Sequence, residues 1–387
     1  MAEWQTVRLG EIVKTNQSTY SPKENWQFVN YLDTGNITMN KIDEIQYINT
    51  AKDKLPSRAR RKVKTNSIIY STVRPNQLHY GIIKEQPDNF LVSTGFTVID
   101  VNYDKGVPDF IYYALTKQEV TEQLQAIAEQ SVSAYPSLKP SDIENLELML
   151  PDKKTQERIV AILRSIDEKI KENNAINNNL EQQAQTIYQQ MFIDNACSDW
   201  AEGTLSDIAD ITMGQSPSGS SYNEDGTGTI FFQGRAEFGF RFPSVRLYTT
   251  EPKRMARSND TLMSVRAPVG DLNVAHMDCC IGRGLAAIHS KSHHQSFVLY
   301  TMFSLKKQLD VFNGEGTVFG SINRNSLNDM PILIPSDDIL DEFERIVAPM
   351  DLTIRNNYDE NCRLQDIRDT LLPRLMSGEL DVSDIDI

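Results

Sequence analysis

Cations are the residues of this chain most suited to chemistry, and they are unevenly placed. Residues 60–64 read RRKVK, inside a stretch, 51–64 (AKDKLPSRARRKVK), that holds seven cations and one acid. A second concentration spans 235–266, where Arg235, Arg241, Arg246, Lys253, Arg254, Arg257 and Arg266 stand against three acids. A guanidinium fork bonds phosphate or a guanine edge with two parallel N–H groups, and a lysine acts as a point charge on phosphate. The chain as a whole carries 53 acidic and 39 basic residues, a formal charge of −14. That balance excludes a protein that binds nucleic acid with its whole surface, because duplex DNA is a dense line of negative charge. It leaves room for local basic footprints. The competing reading is that each cluster is an ordinary solvated face.

Catalytic signatures are lacking. There is no NPP or DPP tetrapeptide core for base methylation and no Walker A string for a motor. The closest glycine pairs, Gly226/Gly228 and Gly282/Gly284, do not open a helix after a buried strand and read as turns. Pro151-Asp152 followed by Asp167-Glu168-Lys169 imitates a metal-nuclease pattern. Here, however, the second acid falls on a helix, about 20 Å from the first at roughly 1.5 Å per residue. His289, His293 and His294 lack an acid or thiol to complete a ligand set and read as exposed loop histidines. Cys197, Cys279, Cys280 and Cys362 have neither zinc-ligand nor disulfide spacing. No metal or other cofactor is expected, and no catalysis.

The elements that would position these cations are written twice. EWQTVRLGEI (3–12) answers to DWAEGTLSDI (199–208), NSIIYSTVRP (66–75) to NDTLMSVRAP (259–268), and VSTGFTVI (92–99) to IGRGLAAI (281–288). YPSLKPSDIENLELMLP (135–151) answers to FGSINRNSLNDMPILIP (319–335), and ERIVA occurs at 157–161 and 344–348. The order is kept throughout, which marks an internal duplication. Each half opens with short β-branched or aromatic runs between turn signals. A helical stretch intrudes near 109–129, and a weaker one near 295–311. Each half then closes with a strand ending in proline and a long helix.

The long helices carry a heptad seam. Ile159, Ile166, Asn173, Leu180 and Ile187 alternate with Leu163, Ile170, Asn177, Ala184 and Met191 in the first. Phe343, Met350, Asn357, Leu364 and Leu371 alternate with Val347, Ile354, Asn361, Arg368 and Leu375 in the second. The polar run EKIKENNAINNNLEQQAQT (168–186) suits a narrow seam better than a buried core helix. A duplicated pair must run antiparallel, which places Asn173 beside Asn361 and Asn177 beside Asn357 as a register-fixing polar layer. Pro349 is expected to start or kink the second helix, and Pro373 to weaken its last turn. About 38 helical residues would extend about 57 Å. On DNA at about 3.4 Å per base pair this suits two half-sites across a fixed gap.

Several strings carry a resemblance: GQSPSGSSYNEDGTG…FFQG (214–234), SVRAPVGDLN (264–273) and CCIGRGLAAI (279–288), STVRPN with VSTGF in the first half, and LQDIRDTLLPRLMSGEL (364–380). With the duplicated layout, the whole chain resembles the specificity (S) subunit of type I restriction–modification enzymes. The resemblance implies an α+β protein with two similar mixed α/β target-recognition domains, separated by two long helices in an antiparallel coiled coil with pseudo-twofold symmetry. The expected boundaries are 1–151 and 195–335 for the domains, 152–194 and 336–380 for the helices, and 381–387 for an acidic tail. The implied partners are double-stranded DNA, two methylation subunits and restriction/translocation subunits. Candidate DNA contacts in the first domain are Arg58, Arg60, Arg61, Lys62, Lys64 and Arg74, with Asn76 and Gln77 as adenine readers. In the second they are Gln233, Arg235, Arg241, Arg246, Arg254, Arg257 and Arg266. The loops before each closing strand add Ser133, Tyr135 and Lys139, and Thr317, Asn323 and Arg324. A free-standing regulator of a bipartite operator and a protein-binding adaptor are the rival readings. The start lacks a basic n-region and an apolar h-region, and no apolar run is long enough to span a bilayer, so a cytoplasmic protein is expected.

Overall fold

The computed structural model describes residues 4–131, 136–314, 320–383 and 385. The chain forms two compact units, Met1–Ile170 with Cys362–Ile387, and Lys171–Asn361. Both long helices, Lys153–Tyr188 and Asp337–Met376, are divided between the units.

In the first unit Gln5–Arg8 pairs antiparallel with Glu147–Leu150, tying the domain's first strand to its last. One four-stranded sheet runs in the order Val13–Thr15, Phe96–Val101, Ile68–Ser71, Tyr80–Ile82. The other runs Gln46–Asn49, Phe28–Leu32, Phe90–Ser93, Ala59–Lys62, with one parallel pair, Phe28–Leu32 against Phe90–Ser93. Ile68–Ser71 is buried at every position, as a strand covered on both faces must be, which is why its sequence is an unbroken run rather than an alternation. Leu32, Ile37, Ile69, Phe90, Val92 and Phe96 form one core cluster, and Tyr20, Val29, Tyr31 and Leu91 another. The largest cluster joins Leu9, Ile68 and Phe110 to Ile159 and Leu163 of the first long helix and to Leu375 and Met376 of the second. Val382, within the segment expected as an acidic tail, belongs to that core too. The expected single helix near 109–129 is two, Pro108–Leu115 and Gln118–Glu129.

The second unit repeats this plan with one strand more, Tyr222–Asn223, at the edge of its second sheet. Ala201–Thr204 pairs with Pro331–Ile334, and one sheet runs Ala209–Met213, Leu285–Ser290, Thr261–Ser264, Leu272–Val274. The other runs Tyr222–Asn223, Leu247–Thr249, Thr229–Phe232, Cys279–Ile281, Met255–Ala256, again with one parallel pair. The duplicated strings therefore mark equivalent strands.

Within this unit the two helices pair antiparallel. Asn173 Nδ2 donates to Asn361 Oδ1 at 2.9 Å, and Asn357 Nδ2 to Asn177 Oδ1 at 2.8 Å. Asn361 also donates to Asn174 Oδ1 at 3.0 Å, and Asn173 to Glu360 at 2.7 Å. Pro349 does not start the second helix, which begins twelve residues earlier at Asp337. Buried Phe343, Val347 and Ile354 secure the helix on both sides of the proline, offsetting a local cost of about 3 kcal/mol.

Candidate nucleic-acid interface

In the first unit the basic run becomes the strand Ala59–Lys62, paired on one side with Phe90–Ser93 and bridged on the other to residues 18–20, where Tyr20 N–H donates to Arg60 O at 2.8 Å and Lys62 N–H to Ser18 O at 3.1 Å. Ala59 is fully buried, Arg58 and Lys64 are exposed, and Arg60, Arg61 and Lys62 are half-buried. Their charges are not equally available. Lys62 pairs with Glu24 and lies 5.0 Å above the Trp26 ring, and its hydrogen bond holds the Glu24 carboxyl below the usual range. Lys64 Nζ is 3.7 Å from Asp100. Arg58 backs the turn 93–95 that links the two sheets, through the Thr94 N–H to Arg58 O bond at 2.8 Å. Burial of Asp33 is outweighed by hydrogen bonds from Thr34, Ser93 and Tyr31 and by the Arg58 charge, so its carboxyl stays below the ordinary range. Arg60 makes no ion pair among the described residues, and the buried Arg61 Nε has no hydrogen-bond partner among them.

Arg74 is exposed, in the left-handed region at φ 48°, and opens the turn Pro75–Gln77 that displays Asn76 and Gln77. Its N–H bonds Pro136 O at 3.1 Å, which brings Arg74 to the loop carrying exposed Lys139. In the second unit the arginine stands one place earlier: Arg266 is bridged to Ser321 as Val73 is to Ser137, and Ala267 takes the place of Arg74, its N–H bonding Gly320 O at 3.0 Å. Arg324 is exposed, while the Asn323 side chain is engaged as a helix cap, accepting from Ser326 N at 2.9 Å. Ser133, Tyr135 and Thr317 lie outside the described residues.

One second-unit candidate is a correction. Arg241 is only 5% exposed; it pairs with Glu181 at 2.9 Å and Asp351 at 3.4 Å and donates to Tyr300 Oη at 3.1 Å. It serves the interior, because a buried guanidinium is tolerated only where carboxylates meet it. The remaining candidates are exposed, and several carry local partners: Arg235 with Asp271, Arg246 with Glu237 at 3.1 Å, and Arg257 with His289 at 3.2 Å. Arg254 makes no ion pair among the described residues. Gln233 lies against the turn 282–284 that links the two sheets, so close that a Cβ on Gly282 would stand 2.8 Å from Gln233 O. That turn presents exposed Arg283, which the sequence reading passed over although it sits inside the quoted string IGRGLAAI. Thr94 fills the equivalent place in the first unit, where Arg58 brings the charge from the neighbouring strand. The two domains thus share a frame and arm it with different side chains.

The nuclease-like pattern dissolves. Asp152 caps the first long helix by accepting from Thr155 N and Oγ1, and Asp167 accepts from Tyr113 and Arg368. Among the described residues no group of three or more His, Cys, Asp or Glu is placed to hold a metal ion. His294, in the loop that leads into helix Gln295–Ser304, is buried rather than exposed and meets Asp341 at 2.9 Å. Cys279 and Cys280 are buried free thiols, and burial pushes Cys279 up to about 12, far from a reactive thiolate. No helix among the described residues is long and apolar enough to cross a membrane.

Residues 1–182 match the family model described as the type I restriction modification DNA specificity domain. The specificity subunit of the type I restriction enzyme HindI of Haemophilus influenzae is 26% identical, with 98% of this chain and all of that protein covered. The putative MjaX specificity subunit of Methanocaldococcus jannaschii is 27% identical over 98% of this chain and 94% of that protein. A solved HsdS subunit from Thermoanaerobacter tengcongensis is 30% identical over 97% of both chains, with a TM-score of 0.42. The S subunit of M. genitalium, 15% identical over 97% of this chain and 96% of that one, shares the fold at a TM-score of 0.61. With its sequence matched over 98% of its length by specificity subunits and one sheet plan occurring twice within it, the chain belongs to the specificity subunits of type I restriction–modification enzymes.

Proposed function

We propose that each domain reads one half of a bipartite, asymmetric double-stranded DNA site, and that the two long helices set the gap between the halves. The chain performs no chemistry itself. It acts in the cytoplasm and gives sequence specificity to two methylation subunits docked on the helices, with restriction/translocation subunits joining them. The observation that carries this reading is one topology occurring twice with unlike loop chemistry. A repeated frame provides two equivalent DNA-facing edges, and different side chains on each demand different bases.

In the first domain the contacts fall to Arg58, Arg60, Arg61, Arg74, Asn76, Gln77 and Lys139. In the second they fall to Gln233, Arg235, Arg246, Arg254, Arg257, Arg266, Arg283 and Arg324. Lys62 and Lys64, held by acids, contribute charge near phosphates rather than base readout. Exchanging residues 1–150 for the same segment of a differently specific subunit should change one half of the methylated motif and leave the other. A swap that changed both halves, or neither, would contradict the assignment.

A further inference from the structure

Each domain is fastened to a long helix by a tyrosine. In the first unit Tyr113 Oη donates to Asp167 Oδ2 at 2.6 Å, and Arg368 Nη1 lies 3.2 Å from Asp167 Oδ1. In the second Tyr300 Oη donates to Asp351 Oδ1 at 2.9 Å, and Arg241 sits 3.4 Å from that same oxygen. The tyrosines occupy one place in two related strings, FIYYAL at 110–115 and FVLYTM at 297–302. Asp167 and Asp351 stand 184 residues apart, the offset that also relates Ile159 to Phe343 and Ile170 to Ile354 along the seam. The phenol–carboxylate pair therefore belongs to the duplicated frame.

The arginine does not. The position 184 residues before Arg368 is Ala184, fully buried and too small to reach a carboxylate. In the second unit the cation arrives from the opposite side, on the domain segment that carries Arg241. Two routes to one arrangement mean that the arrangement is maintained while its parts change.

We infer that Tyr113–Asp167 and Tyr300–Asp351 are positioning pairs that hold each recognition domain in one pose on its helix, and so restrict the gap the protein accepts between half-sites. This rests on the bipartite reading proposed above. The apolar contacts between domain and helix, such as Phe297 and Tyr300 with Phe343, are non-directional and permit small slides at little cost. A hydrogen bond to a carboxylate is short and directional. A domain displaced by one base-pair rise, about 3.4 Å, cannot keep it. Both tyrosines are buried in their domains' cores, so the bond ties the core itself to the helix.

The test uses the full chain assembled with its methylation subunits and two sets of duplexes, one with the native gap and one with the gap changed by one base pair. Tyr113→Phe and Tyr300→Phe each remove a single oxygen and keep the ring. Each should narrow the native-to-altered ratio of initial methylation rates by about tenfold, the discrimination that one hydrogen bond to a charged group provides. The ratio does not depend on the folded fraction, and Asp351→Asn gives a second, shape-preserving check on the same readout. Equal slowing on both duplexes, with the ratio unchanged, would reduce the pairs to general stability and overturn the inference. A wild-type complex indifferent to the gap would instead overturn the bipartite reading beneath it.

Discussion

Replacing Asn361 by leucine tests the polar layer, because neighbouring amides depend on it. Asn173 and Asn361 are 1% and 6% exposed, so neither is hydrated when its partner is lost. Asn173 Nδ2 spends its two hydrogens on Asn361 and Glu360, and its own Oδ1 has no partner among the described residues. Asn361→Leu leaves one of those N–H groups stranded, at a cost of about 1–3 kcal/mol. Changing Asn173, Asn177, Asn357 and Asn361 together removes the polar groups instead of orphaning them. Each buried leucine then contributes about 1.5–3 kcal/mol of transfer free energy, so the quadruple variant should be more stable than the parent while losing its single register. Urea unfolding would be followed by fluorescence of Trp200, which lies 6.0 Å from Phe192 in the second unit, in a Trp4→Phe/Trp26→Phe background. A single Asn361→Leu variant as stable as its parent, or a quadruple variant weaker than the single one, would refute the reasoning.

Arg241→Leu should destabilise the second unit by about 3–5 kcal/mol at pH 7, since it leaves Glu181 and Asp351 as uncompensated buried charges. Burial already raises both carboxyls, with Arg241 opposing it. A raised carboxyl holds its proton in the folded state, so its contribution is most favourable below the unfolded carboxylate range and is lost as pH rises through the folded value. The variant's penalty should therefore shrink between pH 7 and pH 5, and a penalty that grew on acidification would contradict this assignment. Arg60→Glu and Arg254→Glu should each weaken DNA binding by the assembled complex and lower the slope of log affinity against log salt by about one. Titrations at several salt concentrations check this, and an unchanged slope removes that residue from the interface.

Much of the frame was legible because a duplication checks itself. NSIIYSTVRP and NDTLMSVRAP align as equivalent central strands, each followed by an arginine, Arg74 in the first and, one place earlier, Arg266 in the second, and the seam asparagines meet across antiparallel helices as their spacing implies. Individual site residues were harder. Arg241 looks in sequence like any other cation of its basic segment, and only tertiary packing puts Glu181 and Asp351 against it. Arg283 was hidden for the opposite reason: a cation between two glycines reads as part of a turn, although such a turn is where a side chain stands clear. Asp167 was weighed only as half of a nuclease pattern, while the informative fact was its match to Asp351 at the offset of the seam. Helix punctuation misled at Pro349, where buried neighbours outweigh the local preference.

Sequencing methylated bases in DNA from a methylation-free host tests the central claim most directly. The host would express this chain with the methylation subunit encoded beside it, and be compared with a host expressing the subunit alone. The account predicts modified bases only when this chain is present, in one motif of two unlike half-sites around a fixed gap. A soluble, assembled complex that adds no methylation, or methylates without a bipartite motif, would contradict it.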